Sequence, residues 1–179
     1  MIETQIEALE AAGQAVRGVL RILLDKNVVD ALLVPVKVPG GNVAPTLVRD
    51  PAVMERAAPL APVMPINAAR AVQSLTITGH RQKLGVVLRP CEIRALVELV
   101  KFQQAKLEDV VLIGIDCLGT YAVEEWQHAP DKQALIDGLL AAAPSGELMP
   151  AGGMAFRTAC QICEQPVPAG EPIALTIGL

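Results

Sequence analysis

The sequence predicts an α/β fold: a mixed sheet with a βαβ unit, an N-terminal helix and a loop-borne Cys-x-x-Cys pair. Three observations carry this. First, two short apolar runs, LGVVL at 84–88 and VVLIGI at 110–115, enclose a segment of helical periodicity. In that segment Ile93, Leu96, Val97 and Val100 share one face, and Arg94, Glu98 and Lys101 share the other. Two strands joined through a helix are parallel, with a right-handed crossover. Second, residues 2–24 repeat apolar side chains at alternating spacings of four and three, at Ile2, Ile6, Leu9, Gly13, Val16, Leu20 and Leu23. Third, the apolar run 173–177 has the pattern of a buried strand.

Taken in order, 2–24 is an amphipathic helix with Glu3, Glu7, Glu10, Gln14, Arg17 and Arg21 mostly outside its apolar stripe. The same repeat could serve a short coiled-coil seam. Residues 28–36 form a strand with Pro35 near its end. The turn Pro39-Gly40-Gly41-Asn42 leads to 44–48, the second half of a hairpin. Gly40-Gly41 lacks G-x-G-x-x-G or Walker spacing, so it reads as a turn rather than a phosphate loop. Asp50 as N-cap and Pro51 at the first helical position open a short helix, with Val53, Met54 and Ala57 inward. Pro59, Pro62 and Pro65 keep the next stretch extended. Asn67 then caps a helix from Ala68 to about Leu75 that carries Arg70.

His80, Arg81 and Lys83 form a basic turn in which His80 is a solvated loop residue. Within the central helix, Arg94 and Glu98 make an i,i+4 pair. After Tyr121 comes Glu124-Glu125-Trp126, with His128 in a loop before Pro130. A helix from 131 to 143 turns Ala134, Leu135, Leu139 and Leu140 inward. The Gly- and Pro-rich stretch 144–153 is a loop or domain edge before the Cys-x-x-Cys segment. The last apolar run slots into the sheet, or marks a fragment, or is completed by another subunit.

A chain of 179 residues is read as a single α/β domain, 1–179, or as a fragment or split subunit of something larger. Mean hydropathy of +0.42 supports a substantial core. That core is aliphatic, because Phe102, Tyr121, Trp126 and Phe156 are the only aromatic residues. A net charge of −4, with no basic patch and no interleaved aromatics, argues against nucleic acid. No apolar stretch reaches the roughly 18 residues of a membrane-spanning helix. Glu3 and Glu7 stand where a signal peptide would be positive. The expectation is a cytoplasmic protein without membrane insertion. There, cysteines serve as metal ligands or catalytic groups more often than as disulfides.

The cysteines are Cys91, Cys117, Cys160 and Cys163. Cys91 follows the first central strand and Cys117 follows the second. Parallel neighbours lie roughly 4.8 Å apart and end on one edge, so these two thiols should be close. That edge is where open α/β sheets bind ligands. Cys91 also falls in the first turn of the helix, where free N–H groups favour a thiolate. One four-thiolate site would use every cysteine. The spacing is neither a zinc ribbon, which has two close pairs, nor a ferredoxin run. Zinc, a [4Fe–4S] cluster and four unrelated cysteines all remain open. A thiol–disulfide role for Cys160 and Cys163 alone is disfavoured, because Pro166 and Pro168 follow where a thioredoxin-like site opens a helix.

Residues 89–121, RPCEIRALVELVKFQQAKLEDVVLIGIDCLGTY, resemble the central motif of the coenzyme F420 hydrogenase/dehydrogenase beta-subunit family. Residues 157–168, RTACQICEQPVP, followed by an apolar strand, resemble its second cysteine motif. The likeness runs from about Asn67 to Leu179 and is weaker upstream. Members of that family are iron–sulfur flavoproteins that pass electrons between partner subunits and a deazaflavin or another acceptor. The resemblance implies an electron-transfer subunit of a larger oxidoreductase complex, with Cys91, Cys117, Cys160 and Cys163 holding one [4Fe–4S] cluster. Where a flavin such as FAD binds, Asn67, Arg70, Arg89 and Arg94 are candidates for its phosphates or ring. Family members are usually longer and often carry a ferredoxin-like module, which this sequence lacks. No nucleophile stands beside a base, so no catalytic side chain is assigned. Two rival readings stand beside this one: a zinc-stabilised interaction module, and a flavin-dependent F420-type oxidoreductase in its own right.

Overall fold

A computed structural model of the protein describes residues 11–79 and 82–179. The first part of the expected N-terminal helix, up to Glu10, and the basic residues His80 and Arg81 lie outside the described residues. Helix α1 (Ala12–Asp25) buries Val16 and Leu20 as expected, and Leu24 in place of the expected Leu23, which is half-buried. Strand β1 (Ala31–Lys37) and strand β2 (Val43–Val48) form the expected antiparallel hairpin, in register from Leu32 opposite Val48 to Lys37 opposite Val43. Pro35 and Pro45 face each other in that register. Strand β3 (Leu84–Leu88) pairs with β1 only over Ala31 to Leu33, so the missing N–H of Pro35 interrupts no ladder on that side.

The segment after Asp50 is a 3-10 turn, Pro51–Arg56, rather than an α-helix, with the Asp50 carboxylate accepting from Ala52 N at 2.9 Å. Helix α2 (Ala68–Thr76) starts at its expected cap, where Asn67 Oδ1 accepts from Ala69 N at 2.9 Å. Strand β3, helix α3 (Pro90–Lys101) and strand β4 (Val110–Ile115) are the expected βαβ unit. β3 and β4 are parallel, from Leu84 opposite Val110 to Leu88 opposite Gly114. The five residues of β3 are all buried, as a strand covered on both faces requires. Pro90 opens α3 with its φ already helical, and Glu92 supplies an acidic first turn. The expected Arg94–Glu98 pair is not formed. Glu98 pairs with Lys101 at 2.7 Å, and Arg94 reaches Gln165 instead.

Helix α4 (Val123–His128) was not expected. It places His128 at a helix end rather than in a loop, with its Nδ1 bonded to Glu124 O at 2.7 Å. Helix α5 (Lys132–Ala142) falls within the expected helix, with Asp131 as its cap rather than its first residue; Leu135 and Leu139 are buried and Leu140 half-buried, but Ala134, expected inward, is exposed. Within the expected Cys-x-x-Cys loop, one helical turn, α6 (Thr158–Gln161), holds Cys160. Strand β5 (Leu175–Ile177) slots in parallel beside β4, giving the sheet order β2-β1-β3-β4-β5.

The sheet divides the core in two. One cluster joins α1 to Met54, Trp126, Leu135 and Leu139. The other joins Ala69 and Val72 of α2 to Ile93 and Leu96 of α3. Among the described residues, no helix is long and apolar enough to cross a membrane.

Candidate functional site

The carboxyl ends of β3 and β4 lie side by side because Leu88 is paired with Gly114. The chain leaves β3 through Arg89, Pro90 and Cys91, and leaves β4 through Asp116, Cys117, Gly119 and Thr120. Two further segments are laid along this edge. The first is 61–64: Val63 is bridged in parallel to Tyr121, and Tyr121 N donates to Pro62 O at 2.9 Å. The second is the Cys-x-x-Cys segment. Tyr121 is bridged to Phe156, Arg157 N donates to Thr120 O at 2.8 Å, and Cys117 N donates to Pro166 O at 2.9 Å.

Tyr121 is the centre of this arrangement. It is fully buried, stacked on Trp126 with ring centroids 6.2 Å apart and tilted against Phe156 at 5.1 Å. Gly119 has φ +82, and an added Cβ there would meet the Phe156 ring at 3.0 Å, so glycine is required on both grounds.

All the thiols are free. Cys91 and Cys163 are exposed, and Cys117 and Cys160 are half-buried. They act on one another electrostatically: Cys91 with Cys117 and Cys160, and Cys117 with Cys160 and Cys163. The Cys91 thiol is pushed up to about 11, first by loss of water, then by the Cys117 thiolate and the Glu92 carboxylate, against the opposing pull of Arg89. This overturns the expectation that the start of α3 favours a thiolate at Cys91. Desolvation and neighbouring negative charge outweigh the helix end, whose reach is one turn. Burial pushes the Cys117 thiol up as well, opposed by the Arg89 charge and a hydrogen bond from the Gly119 N–H. A cation that binds here must displace protons, so its affinity rises with pH.

Arg89 is 5% exposed and Glu92 4%. The Arg89 guanidinium donates to Val63 O at 3.3 Å and to Ala61 O. The Glu92 carboxylate accepts from Ala68 N at 2.8 Å and from Arg89 N at 3.1 Å. Glu92 thereby ties the starts of α2 and α3 together. Arg94 Nη1 donates to Gln165 Oε1 at 2.9 Å, fastening the Cys-x-x-Cys segment to α3. The side chain of Asn67 is occupied in capping α2, and Arg70 is exposed on that helix.

Sequence reasoning missed three contributors: Glu92, Gly119 and Thr120. The Thr120 hydroxyl is 3.1 Å from Cys160 Sγ, and Thr120 is 2% exposed. No sequence signal could have paired it with a thiol 40 positions away.

Among the described residues, no group of three or more His, Cys, Asp and Glu side chains is gathered closely enough to hold a metal ion. Thiolate is the donor type that zinc and iron–sulfur groups use, but the described geometry does not gather these thiols into one site. The free thiols come from two separate stretches, and Cys160 Sγ of the second lies 3.1 Å from the hydroxyl of Thr120 in the first.

No family model matches the chain. Curated proteins do match, among them two beta subunits. F420-dependent formate dehydrogenase 1 subunit beta of Methanococcus maripaludis is 33% identical over 111 residues, 60% of this chain and 27% of that protein. F420-dependent formate dehydrogenase subunit beta of Methanocaldococcus jannaschii is 30% identical over 111 residues, 60% of this chain and 28% of that protein. The match covers little more than a quarter of those relatives' length. Over those 111 residues the chain is similar to beta subunits of F420-dependent formate dehydrogenases, consistent with the resemblance to the F420 hydrogenase/dehydrogenase beta-subunit family.

Proposed function

We propose that the chain is a subunit, or part of one, of an oxidoreductase, and that it holds one [4Fe–4S] cluster through Cys91, Cys117, Cys160 and Cys163. It passes electrons to or from a flavin or deazaflavin carried by the complex. The observation that carries this reading is the docking of the second cysteine block on the first: Cys117 N donates to Pro166 O at 2.9 Å, and Cys160 Sγ lies 3.1 Å from the Thr120 hydroxyl. The names of the matched relatives supply the substrate side: both are beta subunits of F420-dependent formate dehydrogenases. Bound, the cluster supplies one-electron transfer. The chain's own residues orient the thiolates, place charge around them and hold the surrounding loops.

A flavin, where this chain contributes to its site, would meet Arg70 on α2 and Arg94 on α3, with Asn67 at the start of α2; Arg89 is buried among backbone carbonyls. Partner subunits in a redox complex, a cytoplasmic setting and a single domain over 1–179 belong to the same proposal.

The test is iron, zinc and acid-labile sulfide per chain on anaerobically purified protein, with flavin binding measured alongside. About four irons and four sulfides, with broad absorption near 400 nm, are the expected result. One zinc without sulfide would turn the site into a structural centre and remove electron transfer. FAD that fails to bind at saturating concentration would assign the flavin to another part of the complex.

A further inference from the structure

We propose that the cavity between α1, α5 and the segment 58–61 is a binding site for a small organic anion, an acidic group carried on an apolar body. The cavity lies on the α1 side of the sheet, away from α2, α3 and the residues considered for a flavin.

The space measures about 250 Å³. A water molecule takes about 30 Å³ of liquid, so the cavity has room for a molecule of about ten heavy atoms. Its lining divides by chemistry. Ala58 and Leu60 from the connecting segment, with Ile136 and Leu140 from α5, make one wall apolar. Ala58 and Leu60 are buried, but Ile136 and Leu140 are only half-buried, which leaves apolar surface on α5 for an occupant to cover.

Two cations line the same space, Arg17 of α1 and Lys37 at the carboxyl end of β1. Neither side chain has an ion-pair or hydrogen-bond partner among the described residues. Arg21, one turn further along α1, differs: it pairs with Asp25 and Glu55. The Arg17 guanidinium is folded back along the helix, since a Cβ added at Gly13 would stand 3.7 Å from its Nη1. Gly13 lines the cavity too and has no side chain to fill it, so the guanidinium stands at the cavity wall. One carboxylate opposes the cations. Asp137 Oδ1 accepts from Gln133 Nε2 at 2.8 Å, and both residues belong to the lining. Two cations against one carboxylate leave an excess of one positive charge. The charge therefore selects an anion, and the apolar wall selects one that carries hydrocarbon. A guanidinium matches a carboxylate or phosphate through two parallel N–H bonds, and an ammonium adds a point charge.

The experiment titrates the full chain with benzoate and with phenyl phosphate, following amide chemical shifts in isotope-labelled protein. Benzamide and benzylamine are the neutral and cationic controls, and acetate tests an anion without an apolar body. Each anion is taken to about 10 mM, which saturates a site with a Kd near 1 mM. Benzoate or phenyl phosphate should shift the amides of Leu60, Ala61, Gln133 and Ile136. The tighter of the two identifies the acidic group as carboxylate or phosphate. Benzamide, benzylamine and acetate should bind at least tenfold more weakly. R17M and K37M should each weaken the tighter anion by about threefold or more, and K26M, beyond the end of α1, should match wild type. D137N should tighten binding, a direction that a merely structural role for Asp137 does not give. Should R17M not fold, as judged by circular dichroism, R17Q carries the same expectation. Benzamide binding as well as benzoate and phenyl phosphate overturns the proposal and makes the cavity an apolar crevice. Cavity amides that stay unmoved by both anions, or folded R17M and K37M chains with wild-type affinity, overturn it as well.

Discussion

Gly114→Ala is the smallest change that should separate the Cys-x-x-Cys segment from the rest of the fold. Gly114 sits in β4 between Leu88 of β3 and Thr176 of β5. A Cβ built on it would stand 2.6 Å from Pro168 Cβ, 2.9 Å from Pro168 Cγ and 3.4 Å from Ile173 Cγ2. Carbon atoms pack at about 3.5–4.0 Å, so Pro168 would have to withdraw by about 1 Å. A proline ring is fused to its own backbone and cannot rotate aside, so the backbone between Cys163 and Ile173 must move with it. Pro166 in that stretch accepts the hydrogen bond from Cys117 N. Overpacking of this kind costs about 1–3 kcal/mol. For a chain of this size that is a melting temperature lower by about 2–12 °C. The control is Gly138→Ala in α5, where an added Cβ meets nothing within 4 Å. It should stabilise by about 0.5–1 kcal/mol. The assay is thermal unfolding of both variants, with amide exchange to localise the effect and iron uptake to read its consequence. Exchange should rise in 163–175 and stay unchanged in β1 and β3, while iron uptake falls. A G114A chain that melts with wild type and fills with metal as wild type does would refute the packing of Pro168 on β4 as the restraint on the second cysteine block.

Three further outcomes follow from the same geometry. Glu92→Ala leaves the buried amides of Ala68 and Arg89 without their acceptor and should cost about 2–4 kcal/mol by chemical denaturation, with Glu92→Gln intermediate. Thr120→Val removes the hydroxyl beside Cys160 Sγ at nearly constant volume. Loss of a hydrogen bond to a ligand sulfur should lower the midpoint potential of a loaded site, and Thr120→Ser should restore it; equal potentials in all three chains would dismiss that bond. In the metal-free chain, Cys91 is exposed but its thiol is pushed up to about 11, so at pH 8 it should alkylate at least tenfold more slowly than a free thiol of ordinary pKa. Because its folded value lies above the unfolded 9.0, its contribution to stability is complete below pH 9 and is lost as pH rises through about 11. A Cys91→Ser chain should show a shallower loss of stability across that window.

The βαβ unit was legible because period-2 and period-3.6 patterns abut at Pro90, and a proline at the first turn leaves little choice of boundary. Asn67 was legible as a cap for the same local reason, whereas Asp131, read as the first helical residue, turned out to be a cap. The failures came where a distant partner decided the outcome. Arg94 looked bound to Glu98 by spacing, but Lys101 took that carboxylate and Gln165, 71 positions away, took the guanidinium. Helix α4 is too short to show periodicity, and Trp126 is buried there with its indole N–H on Gly41 O at 3.2 Å, 85 positions back. Cys91 looked activated because the helix end is visible in sequence, whereas the crowding and the neighbouring thiols are not. The residues that complete the edge, Thr120 and Gly119, are defined by Cys160 and Phe156, which only the folded chain brings alongside.

The contacts that close the cysteine edge span very long stretches of chain. Thr120 meets Cys160 across 40 positions, Arg94 meets Gln165 across 71, and Arg157 meets Met64 across 93. Contacts of such high sequence separation form late, since the loop must be closed before any of them can contribute. During synthesis, the first cysteine block leaves the ribosome well before its partners. Until residues 157–168 dock, Cys91 and Cys117 stand without the second cysteine block, so the two blocks meet only in the folded chain.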